Sequence, residues 1–280
     1  MRLPEWLKSN NRADVHGTKH LLRRHGIATV CEEARCPNRG VCFARPTATF
    51  MILGGRCTRH CGFCSVNVGS PEPVDAGEPQ RVAAAAAEMA LTYVVITSVT
   101  RDDLPDGGAG HFAGTVREVR NRLPAAGIEV LTPDFKGDVT ALKKVLDSGP
   151  DIYNHNIETI ERLYATVRPE AHYRRSLSVL ELAKKIMPGI PTKSGLMLGL
   201  GETASEVRHL LQDLRSVDCN FVTIGQYLRP ARKNLPVVEY VRPEIFEELR
   251  ITALGMGFNY VASAPLVRSS MNAEEMYNHV

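Results

Sequence analysis

Six of the seven cysteines lie between residues 31 and 64, in two groups of three with different spacings. Cys31, Cys36 and Cys42 form C-x4-C-x5-C, and Cys57, Cys61 and Cys64 form C-x3-C-x2-C. Cys219 stands alone. An odd count argues against a disulfide framework, and no apolar core follows the opening Met-Arg-Leu-Pro-Glu-Trp to act as a secretion signal. The expected location is therefore cytoplasmic, where thiols stay reduced and clustered cysteines bind metal. Whatever the chain folds into has to present these two triads.

With 280 residues the chain is long enough for one large domain with a real core. A formal net charge of +3 with scattered basic residues gives no reason to expect nucleic acid as a partner. No apolar run approaches the roughly 20 residues needed to span a bilayer, so no membrane association is expected.

Residues 1–46 differ in texture from the rest, being irregular apart from a short helix expected near residues 19–24. From residue 47 onward strand and helix patterns alternate. Strands are expected at 49–53, 93–98, 128–132, 152–154, 192–200 and 221–226. Helices are expected at 82–90, 112–123, 139–147, 157–165, 174–187, 204–217 and 243–256, with 260–263 a short extended tail. Strand–helix units in series require a parallel sheet with right-handed crossovers. A closed eight-unit barrel takes about 250 residues, whereas 234 follow residue 46 and six units are visible. The expected fold class is α/β, a partial (β/α)6 TIM-type barrel over residues 47–257. An N-terminal cluster-binding extension (1–46) and a short C-terminal extension (258–280) flank it.

The second triad falls on the loop directly after the first strand, at the barrel face where active sites collect. Three thiolates at this spacing can hold three irons of a [4Fe–4S] cluster and leave the fourth iron open. That iron can chelate the amino and carboxylate groups of S-adenosylmethionine and pass one electron to its sulfonium. With Phe63 before the third cysteine, the segment resembles the signature of the radical S-adenosylmethionine superfamily. A zinc site with a distant fourth ligand is the plainer alternative, although zinc motifs usually show paired C-x2-C units. The first triad, again one ligand short, reads either as a second cluster or as a metal clip for an irregular N-terminus.

The two spacings together resemble lipoyl synthases, and the similarity continues at residues 30–38 (VCEEARCPN), 48–53 (ATFMIL), 93–103 (YVVITSVTRDD), 154–159 (NHNIET), 191–203 (PTKSGLMLGLGET), 225–228 (GQYL) and 265–270 (PLVRSS). The resemblance implies insertion of two sulfur atoms, at C6 and C8, into an octanoyl chain held on a lysine of a carrier domain. It implies two [4Fe–4S] clusters and consumption of two S-adenosylmethionine molecules. The cluster on Cys57, Cys61 and Cys64 makes the radical, and the auxiliary one on Cys31, Cys36 and Cys42 is consumed as sulfur donor. The family's fourth auxiliary ligand is a serine of an Arg-Ser-Ser-Tyr motif. Here Arg268-Ser269-Ser270 is followed by Met271 in place of tyrosine. Ser270 is the expected ligand and Ser269 the alternative. Implied partners are octanoylated lipoyl domains (2-oxoacid dehydrogenase E2 subunits or the glycine cleavage H protein), an electron donor such as ferredoxin or flavodoxin, and an iron–sulfur carrier.

Further candidates sit at strand ends. Gly199, Gly201 and Glu202 follow the fifth strand, where glycines permit close approach to a cofactor, although a plain turn explains them equally. Asn154, Asn156 and Glu158 follow the fourth strand and are placed to bond S-adenosylmethionine or, alternatively, to form an N-cap and first helical turn. Ser98, Asp102 and Asp103 follow the second strand, with Asp103 equally a salt-bridge member. Arg174, Lys193 and Arg229 are candidate carboxylate partners. The basic loop 229–233 is a candidate contact for an acidic carrier domain. A biotin-synthase-like enzyme is the competing catalytic reading, but that family lacks the upstream C-x4-C-x5-C. An iron–sulfur carrier would need neither the α/β scaffold nor an open-iron motif.

Overall fold

The computed structural model describes residues 2–8, 16–44, 49–271, 273–277 and 279. Residues 45–48, where the sequence places the end of the N-terminal extension, lie outside the described residues. By contacts the chain divides into two compact units. An N-terminal unit comprises Ser9–Arg59 and Ser65–Tyr153; a C-terminal unit comprises Met1–Lys8, His60–Cys64 and Asn154–Val280.

The N-terminal unit opens with α1 (His16–Arg24), a two-residue β1 (Ala28–Thr29), α2 (Val30–Glu33) and α3 (Arg39–Ala44). This region is more ordered than its composition suggests. Thr29 caps α2 by accepting from Glu32 N at 3.4 Å, and β1 pairs antiparallel with β2 (Thr49–Ile52). Short β3 (Arg56–Cys57) and β4 (Asn67–Val68) follow, paired parallel, then α4 (Glu78–Glu88), β5 (Tyr93–Ser98), α5 (Ala109–Arg122), β6 (Gly127–Leu131), α6 (Val139–Leu146) and β7 (Ile152–Asn154). β2, β5 and β6 pair parallel in that order, with Phe50 opposite Ile96 and Val94 opposite Ile128. All of β2 and the first five residues of β5 are buried, the pattern of strands covered on both faces. The helices cover them with apolar stripes, such as Phe112, Ala113, Val116 and Val119 of α5.

In the C-terminal unit, α7 (Tyr164–Val167), α8 (Tyr173–Ile186), β8 (Thr192–Leu198), α9 (Ala204–Ser216), β9 (Phe221–Gln226), α10 (Pro243–Gly255) and β10 (Tyr260–Ser263) alternate in the same way, followed by α11 (Ala273–Tyr277). β8, β9 and β10 pair parallel. Residues 260–263, expected as an extended tail, thus form a strand beyond the six anticipated: Tyr260 lies opposite Phe221 and Ser263 opposite Ile224. Among the described residues no helix is long and apolar enough to cross a membrane.

One expected helix fails at its start. Residues 157–160 are not helical; Glu158 has a φ of 65° and bridges β8, donating N–H to Gly195 O at 2.9 Å and accepting from Met197 N at 2.9 Å. Helical structure begins only at Glu161. By contrast α9 starts as its sequence dictates: Thr203 Oγ1 accepts from Glu206 N, and the Glu206 carboxylate accepts from Thr203 N at 2.8 Å. Thr203→Ala is expected to lower stability by about 1 kcal/mol, read as a lower urea midpoint at unchanged slope.

Candidate active site

The first triad is built from the two short N-terminal helices. Cys31 lies on α2 and is buried, Cys42 lies on α3, and Cys36 is in the turn between them; the latter two are half-buried. Cys36 N donates to Cys31 O at 3.1 Å. Burial pushes the Cys31 thiol up to about 11; hydrogen bonding from Thr49 opposes this, while Cys36 and Cys42 add to it by like charge. The Cys36 and Cys42 sulfurs therefore both lie within electrostatic reach of Cys31. Ser65, the residue after Cys64, donates Oγ–H to Glu33 O at 2.6 Å, so the end of the second cysteine loop is bonded to the helix that carries Cys31.

The second triad lies on the loop after β2. In the N-terminal unit, Cys57 Sγ accepts two backbone N–H groups, from Arg59 at 3.4 Å and Thr100 at 3.3 Å. Thr58 N and Oγ1 both donate to Thr100 O at 3.1 Å, and Thr58 Oγ1 accepts from Asp102 N at 3.1 Å. Within the C-terminal unit, Gly62 N donates to Val167 O and Leu235 N to Gly62 O, both at 2.9 Å. Asn234 Nδ2 donates to Cys64 O at 2.7 Å, and Glu170 holds His60 through its backbone N–H at 3.1 Å and its ring at 3.0 Å. Phe63 packs on the Val167–Leu200–Tyr227 cluster, which accounts for an aromatic before the third cysteine. Sequence reasoning missed Arg59, Asn234 and Glu170, although Arg59 stands inside the motif itself.

All seven cysteines are described and none forms a disulfide. Among the described residues no three His, Cys, Asp or Glu side chains converge on one metal ion. A [4Fe–4S] cluster does not require that, because each thiolate holds a different iron. Half-buried soft thiols, with amide donors aimed at one of them, fit such a cluster. Cys219 is fully buried two residues before β9, a small core residue.

The strand-end candidates divide. Ser98 Oγ is buried without a hydrogen-bond partner among the described residues, an open polar position at the end of β5. Asn154 Nδ2 donates to Ser269 Oγ at 3.1 Å, Ser269 donates to Asn156 Oδ1 at 2.8 Å, and Asn156 Nδ2 donates to Glu158 Oε1 at 3.0 Å. The first two candidates thus join the C-terminal serine motif instead of forming a helical first turn. Gly199 and Gly201 both have positive φ, and a side chain at Gly199 would collide with Gln226 and Glu239 O. The Glu202 carboxylate folds back on this loop, accepting from Gly199 N and Leu200 N; burial nevertheless pushes its pKa up. Asp103 pairs with Arg101 at 2.9 Å. Arg174 pairs with Glu161 at 3.1 Å on the surface. Lys193 is fully buried on β8, and the Arg229 guanidinium folds onto carbonyls of its own loop, Ala231 and Arg232.

Burial also pushes the Glu158 carboxyl above its ordinary 4.5, against the charge of Arg168 and the hydrogen bond from Asn156. A raised acid stabilises the fold below its unfolded pKa and loses that contribution as pH rises through the folded value. The melting temperature of Glu158→Gln should therefore gain on the parent between pH 4.5 and neutrality; parallel pH profiles would contradict this.

The fold and the C-x3-C-x2-C loop define a radical S-adenosylmethionine enzyme, and the Radical SAM superfamily model matches residues 51–214. Among solved structures, SuiB of Streptococcus suis bound to S-adenosylmethionine aligns with a TM-score of 0.62 at 11% identity, covering 80% of this chain and 54% of that one. Methylornithine synthase (PylB) aligns at 0.56 and 17% identity, covering 79% and 72%. Such low identities establish the fold alone. The lipoyl synthase of Caldicellulosiruptor bescii is 52% identical over 276 residues, 98% of this chain and 95% of the relative. That of Methylococcus capsulatus is 54% identical over 278 residues, 98% and 86%. The chain belongs to the lipoyl synthase family, sulfur-inserting members of the superfamily.

Proposed function

We propose that this enzyme inserts sulfur at C6 and C8 of an octanoyl chain amide-linked to a lysine of a lipoyl carrier domain, consuming two S-adenosylmethionine molecules and the sulfide of an auxiliary [4Fe–4S] cluster. Cys57, Cys61 and Cys64 hold three irons of the radical-generating cluster. Cys31, Cys36, Cys42 and Ser270 hold the auxiliary one. In this reading residues 1–46 and 258–280 are the extensions that carry the auxiliary ligands, and 47–257 is the catalytic body. When bound, the first cluster supplies the electron that cleaves S-adenosylmethionine to methionine and a 5′-deoxyadenosyl radical, and the second supplies sulfur.

The protein's own groups orient these partners. Ser98, Asn154, Asn156 and Glu158 offer hydrogen bonds to S-adenosylmethionine, while Glu202 holds the Gly199–Gly201 turn in shape for close backbone approach. Ser269 donates to Asn156 and accepts from Asn154; Ser270 remains the iron ligand the family resemblance implies, with Ser269 the alternative. A hard alkoxide suits a cluster that has to be dismantled. The partners are octanoylated E2 or H-protein lipoyl domains, a ferredoxin- or flavodoxin-type reductant, and an iron–sulfur carrier that rebuilds the second cluster.

The observation that carries the reading is the bond from Ser65 to Glu33, which ties the residue after one triad to the helix bearing the other. An enzyme that removes hydrogen with one cluster and delivers sulfur from another needs the two close together. Anaerobically reconstituted protein, given an octanoyl-lysyl peptide, reductant and S-adenosylmethionine, should yield peptide carrying two added sulfurs by mass analysis. Cleavage of S-adenosylmethionine with no sulfur in the peptide would overturn the assignment.

A further inference from the structure

Arg59 stands between Cys57 and Cys61, and its side chain is 4% exposed. Its guanidinium donates twice to Asp102, Nε to Oδ2 at 2.7 Å and Nη2 to Oδ1 at 3.0 Å, and Nη2 donates again to Asp134 Oδ1 at 2.6 Å. Asp134 is fully buried and is itself held by Lys136 N at 3.1 Å. Lys136 Nζ donates to Asp102 O at 3.2 Å and lies 4.0 Å from its carboxylate. Two cations therefore face two carboxylates. One side chain in the cysteine loop is bolted to the loop after β5 and to the loop after β6.

A buried ion pair is weak evidence for stability, because desolvation offsets most of the attraction. What a forked, bidentate contact adds is geometry. The backbone around Arg59 shows what is being positioned. Arg59 N is one of the two amides donating to Cys57 Sγ; the other, Thr100 N, belongs to the loop that Asp102 anchors. Cys57 itself lies on a two-residue strand paired with β4, its carbonyl accepting from Gly69 N at 3.2 Å, which leaves the sulfur to be set by these two amides.

We propose that Arg59 is a positioning residue for the radical-generating cluster. By clamping the Cys57 loop to Asp102 and Asp134, it holds two amide donors on the Cys57 sulfur and so sets the cluster's retention and reduction potential. The inference rests on Cys57, Cys61 and Cys64 being the ligands. Amide donors stabilise the more negative, reduced cluster, so loosening the clamp lowers the potential.

The test uses the full-length chain with Cys31, Cys36 and Cys42 replaced by alanine, so that a single cluster is read. Arg59→Lys keeps the charge and loses the fork. It should release iron to a chelator at least about ten-fold faster than the parent and have a lower midpoint potential by EPR-monitored titration, with an unchanged circular dichroism spectrum. Asp102→Asn is the second variant. Removing a negative charge would by electrostatics alone raise the potential, whereas a loosened clamp lowers it. A folded Arg59→Lys with the parent's potential and iron-loss rate, or a raised potential in Asp102→Asn, overturns the proposal. If the parent background itself binds no iron, the ligand assignment fails and the proposal falls with it.

Discussion

Alanine at Cys57, Cys61 or Cys64 is expected to abolish cleavage of S-adenosylmethionine, a loss of at least about 10³-fold, or more than about 4 kcal/mol of barrier. On the proposed assignment each of these thiolates holds one iron, and the reaction needs the fourth iron open while the other three stay fixed. Losing a thiolate opens a second iron and removes the soft ligand that retains it. For Cys57 it also leaves the Arg59 and Thr100 amides with no sulfur to bond. Alanine at Cys31, Cys36 or Cys42 should have the opposite profile, with cleavage within roughly threefold of the parent, under 1 kcal/mol, and sulfur insertion lost. Chromatography of 5′-deoxyadenosine and methionine reads the first activity, and mass analysis of an octanoyl-lysyl peptide reads the second. Iron should fall from about eight per chain to about four when either triad is removed. Equal loss of both activities on mutating Cys31, Cys36 or Cys42 would defeat the division of labour.

The two cysteine groups stand out in the sequence because their spacing is local: Cys57, Cys61 and Cys64 fall within eight residues and Cys31, Cys36 and Cys42 within twelve. The parallel α/β alternation was legible for the same reason, since apolar runs such as residues 93–96 need cover on both faces. What escaped depends on distant partners. Arg59 reads as one more surface cation until it is seen to meet Asp102 and Asp134, 43 and 75 residues away. Asn234 grips Cys64 across 170 residues. Residues 157–165 misled through their spacing: Ile157, Ile160 and Tyr164 fall on one face of a helix, and all are buried. Yet Ile157 and Ile160 are buried by a bridge to β8 with Glu158 at positive φ. Apolar period alone does not separate a short irregular buried segment from a helical turn.

The close approach of the C-terminal segment to β9 leads to the second large effect, at Gly225. A Cβ there would overlap the Val267 carbonyl oxygen, lie 3.1 Å from its carbon and 3.2 Å from Arg268 Nη1. No rotamer relieves a clash with backbone, so either β9 or the segment has to move. Shifting β9 disturbs pairing with both β8 and β10. The segment is held by bonds that include Gln226 N to Pro265 O and Ala264 N to Ile224 O, each 3.1 Å, and those of Ser269 to Asn154 and Asn156. At about 0.5–1.5 kcal/mol per hydrogen bond, releasing these four costs about 2–6 kcal/mol, whereas a shift of β9 breaks two strand ladders. Gly225→Ala should therefore fold with a clearly lowered melting temperature, at about 2–4 °C per kcal/mol, and present residues 265–271 to solvent. Faster amide exchange confined to that segment is the direct readout. Because Arg268-Ser269-Ser270 rides on it, sulfur insertion should fall at least about tenfold, or 1.4 kcal/mol, while S-adenosylmethionine cleavage is largely kept. Unchanged exchange at 265–271 in a folded Gly225→Ala would show that β9 yields first, and that Gly225 serves the strand and not the serine motif.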